Sequence, residues 1–276
     1  MLYAIWSQAF KNFEKGSHAV LNEIDNALQL SNLAINYGCD PNIIEIPSCG
    51  SIIHFFILYY RSRILKDPSF HLAINKYHDI FSSMVKMGCE LEGRDQDEDT
   101  ALLSACYLPE PNMIAALIDI GADINATDGD GDGVLHHILY ARKIHCDFEN
   151  LGRGLEILLI NKADPNHLNN FGLSPSDHAS VLSIKVSLWD KAVEHAGYKT
   201  LVIKGVLPQC GHLEEVTIIV SAGFEVDKNS TLPISNLTVE EWLKRRYERT
   251  VRFFECQKCV SQAKVKTQFR KSRLPE

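Results

Sequence analysis

GCELEGRDQDEDTALLSACYLPEPNMIAALIDIGADIN, running from Gly88 to Asn125, decides how this chain is read. The stretch opens on Gly88-Cys-Glu-Leu-Glu92 and closes on Gly121-Ala-Asp-Ile-Asn125, with Thr100-Ala-Leu-Leu103 between them. The apolar residues before the second glycine, Met113, Ile114, Leu117 and Ile118, fall at helical spacing. The glycine suits the left-handed residue that follows a helix, and the acid or amide beyond it suits a turn. The phrase therefore marks a helix end, and the distance from one glycine to the next is 33 residues.

Working outward, the same phrase returns as Gly38-Cys-Asp-Pro-Asn42 and Lys162-Ala-Asp-Pro-Asn166, the latter after Leu155, Leu158 and Leu159. A second signature follows each copy: Ser51-Ile-Ile-His54, Thr100-Ala-Leu-Leu103, Gly133-Val-Leu-His136 and Ser174-Pro-Ser-Asp177. Its offset from the Asn-type position is 9 residues in the first copy and 8 in the other three.

Two signatures at this spacing resemble the ankyrin repeat, a turn or hairpin followed by a helix opening on Thr-Pro-Leu-His and an antiparallel second helix ending in Gly-Ala-Asp. The resemblance covers residues 17–197 and is degenerate. Gly38 to Gly88 spans 50 residues and Gly121 to Lys162 spans 41, so two units carry insertions of 17 and 8 residues, around Tyr60 to Tyr77 and Ala141 to Asn150. It implies an all-α solenoid of paired antiparallel helices with a C-terminal helical extension. His54 and His136, at the family's Thr-Pro-Leu-His position, are expected to bond the backbone of a neighbouring hairpin.

Around that domain the chain divides into an N-terminal arm (1–16), a divergent capping segment (198–237), a basic amphipathic helix (238–261) and a basic disordered tail (262–276). A second helix with no obvious first helix precedes Gly38. In the capping segment Val216, Ile219 and Val220 read as one face of another second helix. The basic helix starts on a capping box, Thr238 with Glu241, and a hydrophobic staple from Leu237 to Trp242. On a helical wheel Leu243, Tyr247, Val251 and Phe254 share one side, while Arg245, Arg246, Arg249 and Arg252 share another.

The formal charge of −7 hides a division. From Lys244 to Glu276 there are 11 Lys/Arg against 3 Asp/Glu, and the rest of the chain holds 17 against 32. The body is acidic and the tail basic. The longest apolar run, Ile52 to Tyr60, is interrupted by His54 and is too short to span a membrane. The N-terminus lacks the pattern of a secretory signal, and eight scattered cysteines point to reduced thiols in a cytoplasmic or nuclear setting.

The family grips other proteins through its hairpin tips and concave face, so the tips are the candidate sites. Asp95, Asp97, Glu98 and Asp99 occupy the second, and Asp128, Asp130 and Asp132 the third. These carboxylates repel one another and suit a partner with a basic segment. They are also ordinary turn residues, and both readings stand. The fourth tip offers Asn170 and Phe171, an aromatic that either anchors a partner or tucks against the next hairpin. The inserted Tyr59-Tyr-Arg-Ser-Arg63 reads as a specificity element or a tolerated surface loop.

Asp128-x-Asp-x-Asp132-Gly133 imitates the start of an EF-hand, but the twelfth position, which should be a bidentate Glu, is Leu139. Cys256-x-x-Cys259 would need Cys210 and His212 to complete a zinc set, across a long gap and from a helix. No metal ligand and no cofactor is nominated.

Motifs for acyl transfer, phosphate binding, zinc proteolysis and dinucleotide binding are missing. The expectation is a non-enzymatic, monomeric protein-binding module. The alternative is an adaptor whose basic extension recruits a second partner, a ubiquitin-ligase component or a nucleic-acid complex. Nucleic acid is disfavoured by the acidic body. The tail's charge also suits folding back onto the acidic tips, although salt screens such attraction beyond about 8 Å.

Overall fold

Four helix ends are built with one device. After α2 (Val20–Asn36), α4 (Tyr77–Lys86), α6 (Pro111–Asp119) and α8 (Phe148–Ile160) the chain turns left-handed at Gly38, Gly88, Gly121 and Lys162, with φ of +92°, +92°, +98° and +73°. The next amide then reaches back into the helix. Cys39 donates to the Ala34 carbonyl, Cys89 to Met84, Ala122 to Leu117 and Ala163 to Leu158, at 3.0 to 3.1 Å. Terminal carbonyls with no donor inside the helix are thereby satisfied. The carboxylates of Asp40, Asp123 and Asp164 accept from the amides of Asn42, Asn125 and Asn166 at 2.8 to 2.9 Å, which closes each turn.

The structure is a computed structural model and describes residues 1–12, 20–42, 50–64, 76–108, 110–140, 148–180, 183–206, 213–224 and 227–250. Helices pair in chain order: α1 (Leu2–Asn12) with α2, α3 (Ile52–Ile64) with α4, α5 (Ala101–Cys106) with α6, α7 (Val134–Tyr140) with α8, and α9 (Pro175–Ser180) with α10 (Ser183–His195). Successive pairs touch through like members, odd-numbered helices against odd and even against even. One buried cluster runs through both rows, from Trp6 through Phe56, Leu103, Leu117, Leu135 and Leu155 to Trp189. Short helices such as the six-residue α5 cannot hold alone, and burial of apolar surface between neighbours offsets their ordering cost.

The fold is not all-α, and the expected all-helical solenoid is overturned at residue 198. Tyr198–Val206 (β1) and Leu213–Ser221 (β2) form an antiparallel pair in register from Tyr198 opposite Ser221 to Val206 opposite Leu213. The segment expected to be a second helix is therefore a strand. Val216, Ile218 and Val220 enter a second buried cluster with Leu168, Leu232, Val239 and Trp242, while Ile219 enters the main one. A strand buried on both faces loses its polar alternation, and its apolar residues then mimic helical spacing. The β-branched side chains of Val216, Thr217, Ile218, Ile219 and Val220 favour the extended backbone.

Two further corrections concern the first half. The stretch expected to be an arm contains α1, which supplies the first helix thought to be missing. Trp6 is buried there, donates to Ser31 Oγ at 3.0 Å, and meets the Phe56 ring edge-on. Tyr59 to Arg63 is no loop but the last part of α3. Tyr60 is buried, with its ring 5.6 Å from that of Tyr77.

The chain then enters α11 (Val239–Thr250) through the expected capping box: Glu241 N–H donates to Thr238 Oγ1 at 3.1 Å, and Thr238 N–H donates to Glu241 Oε2 at 2.9 Å. The rest of the basic helix, the tail, and the Cys210, His212, Cys256 and Cys259 set lie outside the described residues. So do most of the two inserted segments, residues 65–75 and 141–147. Among the described residues no helix is long and apolar enough to cross a membrane.

Candidate functional site

The second, third and fourth tips are copies of one turn. Asp95 N–H donates to the Asp99 carbonyl, Asp128 to Asp132 and Asn169 to Leu173, each at 3.0 Å. Within each loop the first side chain caps the turn. Asp95 Oδ1 accepts from the amides of Asp97 and Asp99, Asp128 Oδ1 from Asp130 and Asp132, and Asn169 Oδ1 from Phe171 and Leu173. The fourth residue is left-handed in all three, at Glu98 (φ +62°), Gly131 (+77°) and Gly172 (+75°). One carboxylate oxygen of Asp95 and of Asp128 is thus committed to the turn itself.

The tips are also joined to one another. Arg94 Nη1 donates to the carbonyls of Glu98, within its own loop, and Thr127, on the next. Asn170 N–H donates to the Asp130 carbonyl at 2.9 Å and its side chain to Gly129, while Asn169 Nδ2 donates to Asp132 Oδ1 at 2.7 Å. These bonds divide the expected site residues. Asp97, Glu98, Asp130 and Asn170 are exposed; Asp95, Asp128 and Phe171 are half-buried; Asp132 is buried and faces the fourth loop. Neither Arg94, which places a cation among the acids, nor the linking role of Asn169 was legible from turn composition.

His54 and His136 hold the base of the loops. His54 Nε2 donates to the Asp99 carbonyl at 3.0 Å while its Nδ1 accepts from Ser51 Oγ. His136 Nε2 donates to Leu173 at 3.1 Å while its Nδ1 accepts from the Gly133 amide. Burial lowers both imidazoles, His136 to about 3, so each stays neutral with the proton on Nε2.

His137, the next residue, turns the other way and was missed in the sequence. Its side chain is wholly buried, and Nε2 lies 3.0 Å from Asp128 Oδ2 and 3.7 Å from Asp99 Oδ1. The three ligand atoms lie within 4.8 Å of one another. The Asp99 side chain is 5% exposed and that of Asp128 12%, and the Tyr107 ring packs 4.5 Å from the imidazole. Among the described residues Asp99 Oδ1 and His137 Nδ1 have no hydrogen-bond partner. Burial pushes the Asp99 carboxyl up to about 7, with His137 opposing and Asp95, Asp128 and Asp97 adding. Burial acts the same way on Asp128, but there the hydrogen bond from His137 and the amides of Asp132 and Asp130 win, leaving it below the usual carboxylate range. The repeated His136-His137 pair beside two Asp-rich turns was the only signal available in the sequence.

Two cations of α11, Arg246 and Arg249, reach the fourth tip rather than the acidic second and third. Arg246 is buried and makes a two-point contact with Asp177 at 2.6 and 3.0 Å, and it donates to the Gly172 carbonyl. Arg249 Nη1 donates to the carbonyls of Leu168 and Asn169, and Trp242 Nε1 to that of Asn166 at 2.6 Å. The wheel set Arg246 and Arg249 apart from the apolar side of the helix, yet they dock it against the fourth loop.

No protein-family model and no curated protein sequence matches the chain.

Proposed function

We propose that this chain is a non-enzymatic protein-binding module that grips a basic segment of a partner through the tips of its second, third and fourth loops. One observation carries the reading: the three tips are hydrogen-bonded into a single row, with Asp97, Glu98, Asp130 and Asn170 exposed along it. Acids carried on loops already fixed to one another lose little loop entropy when a cation arrives, so a row of them is worth more to binding than the same charges on independent loops. Half-buried Phe171 adds an apolar contact at the end of the row. The four phrases that resemble ankyrin units, from a family used for protein contact, support the same reading. Among the described residues of the basic extension, Arg246 and Arg249 are spent inside the chain, which leaves Lys244 and Arg245, midway along α11, as its exposed cations for the adaptor alternative.

The test is affinity purification with the full chain beside a variant carrying Asp97→Asn, Glu98→Gln and Asp130→Asn, three exposed changes that keep the turn caps. A co-purified partner should lose about ten-fold in affinity, from rim charges worth about 0.2–1 kcal/mol each, and the loss should shrink as salt is raised. Partners retained equally by both proteins at low salt would refute the proposal.

A further inference from the structure

We infer that Asp99, Asp128 and His137 form a binding site for a divalent transition-metal ion of the zinc class, set beneath the second and third tips. The inference is independent of what the tips themselves bind. Its first ground is geometry. Three protein ligands on a tetrahedral zinc, with bonds of about 2.0–2.2 Å, stand about 3.3–3.5 Å apart. The distances from His137 Nε2, 3.0 Å to Asp128 Oδ2 and 3.7 Å to Asp99 Oδ1, bracket that value, and all three ligand atoms lie within 4.8 Å of one another, so side-chain adjustment without backbone movement would seat the ion.

The second ground is an unanswered acceptor. The His137–Asp128 contact satisfies both of its own atoms as a simple hydrogen bond, and a purely structural pair would need nothing more. Asp99 Oδ1 is left over: its side chain is 95% buried, it has no hydrogen-bond donor among the described residues, and it stands 3.7 Å from the same imidazole nitrogen. A buried carboxylate oxygen left this way costs about 1–3 kcal/mol or more, and a cation held by His137 and Asp128, off the line between them and toward Asp99, supplies what it lacks. A bound divalent ion would displace the protons of its ligands, and two carboxylates then supply the −2 charge that balances it in a dry site.

Ligand chemistry narrows the metal. Calcium and magnesium require six or more oxygens, or several retained waters, whereas one imidazole and two carboxylates with a fourth position open suit zinc. The ligands come from three points of the chain: Asp99 at the end of the second tip, Asp128 as the first residue of the third tip, and His137 in α7. The ion would therefore tie the second loop, the third loop and α7 together. Asp128 has the most exposed side chain of the three and gives the way in.

The experiment uses the full chain stripped with EDTA and titrated with cobalt(II), read by optical absorption and then displaced with zinc. Variants are Asp99→Asn, His137→Gln, and Cys256→Ser combined with Cys259→Ser. Expected is one cobalt per chain with tetrahedral d–d bands and no sulfur-to-cobalt charge transfer. Affinity should fall at least ten-fold in Asp99→Asn, with circular dichroism unchanged, and should be retained in the cysteine variant. Asp99→Asn alone decides the matter if His137→Gln does not fold. No binding, binding indifferent to Asp99→Asn, or binding lost with the two cysteines would overturn the site.

Discussion

Replacing Arg246 by alanine removes the cation that joins α11 to α9 and the fourth loop, and the structure sets the size of the effect. The Arg246 side chain is 6% exposed, and its guanidinium makes two parallel contacts with Asp177, whose side chain is 28% exposed. Breaking a buried pair from one side costs about 3–5 kcal/mol, because the other charge stays behind. Asp177 is not left bare: it still accepts from Ser174 N–H and Oγ at 2.7 and 2.8 Å and remains partly hydrated. The cost therefore falls to about 2–3 kcal/mol. It is felt locally, as undocking of the hairpin and α11. Hydrogen exchange should show it, with the slow amides of β1 and β2 exchanging about 30- to 150-fold faster while those of α5 and α6 are unchanged.

The pH dependence has a definite sign. Burial raises the Asp177 carboxyl, but the hydrogen bonds and charge of Arg246 outweigh it and hold the group below the usual range. A depressed carboxylate contributes stability above its unfolded value of about 3.9 and loses it as pH falls through the lower folded value. The gap between wild type and Arg246→Ala should thus be full at neutral pH and close below about pH 4. Replacing both partners, Arg246→Met with Asp177→Leu, should recover much of the loss. Exchange rates in β1 and β2 that ignore Arg246→Ala, or a gap that widens in acid, would refute the reasoning.

Asn166 acts as a short stand-in strand, its side chain donating to the Ile219 carbonyl at 2.7 Å and accepting the Ile219 amide at 2.8 Å. Asn166→Ala strands both groups and should cost about 2–4 kcal/mol in urea unfolding. Lys162 occupies the left-handed position that Gly38, Gly88 and Gly121 hold elsewhere, so Lys162→Gly should stabilise by about 0.5–1 kcal/mol, read as a raised Tm. At Gly205 an added Cβ would lie 1.8 Å from the hydroxyl oxygen of Tyr247, a side chain that is 4% exposed. Gly205→Ala should therefore loosen α11 by about 1–3 kcal/mol, visible as faster exchange in β1 and α11.

Helix ends at Gly38, Gly88, Gly121 and Lys162 were legible because a left-handed residue and an Asx turn are local devices, complete within about five residues. The same holds for the capping box at Thr238 and Glu241, and for the turn-forming acids of the tips. The hairpin at 198–221 was not legible: Ile219 faces one core and its neighbours another, which erased the alternation by which a strand is recognised. Nor was α1, whose contribution rests on Trp6 meeting Ser31 and Phe56, partners 25 and 50 residues away.

The same divide runs through the candidate site. Which residues turn the chain at Asp95 and Asp128 follows from their own side chains capping amides two and four positions on, chemistry that short-range spacing dictates. Which oxygen is then left for other use depends on distant groups. His137 claims Asp128 from 9 residues away, Asn169 claims Asp132 from 37 away, and Arg246 claims Asp177 from 69 away. Turns are settled by bonds a few atoms long, so their pattern is written in order along the chain. Burial, pairing of charges and the meeting of Asp99, Asp128 and His137 depend on which surfaces pack together, and spacing along the chain carries no record of that.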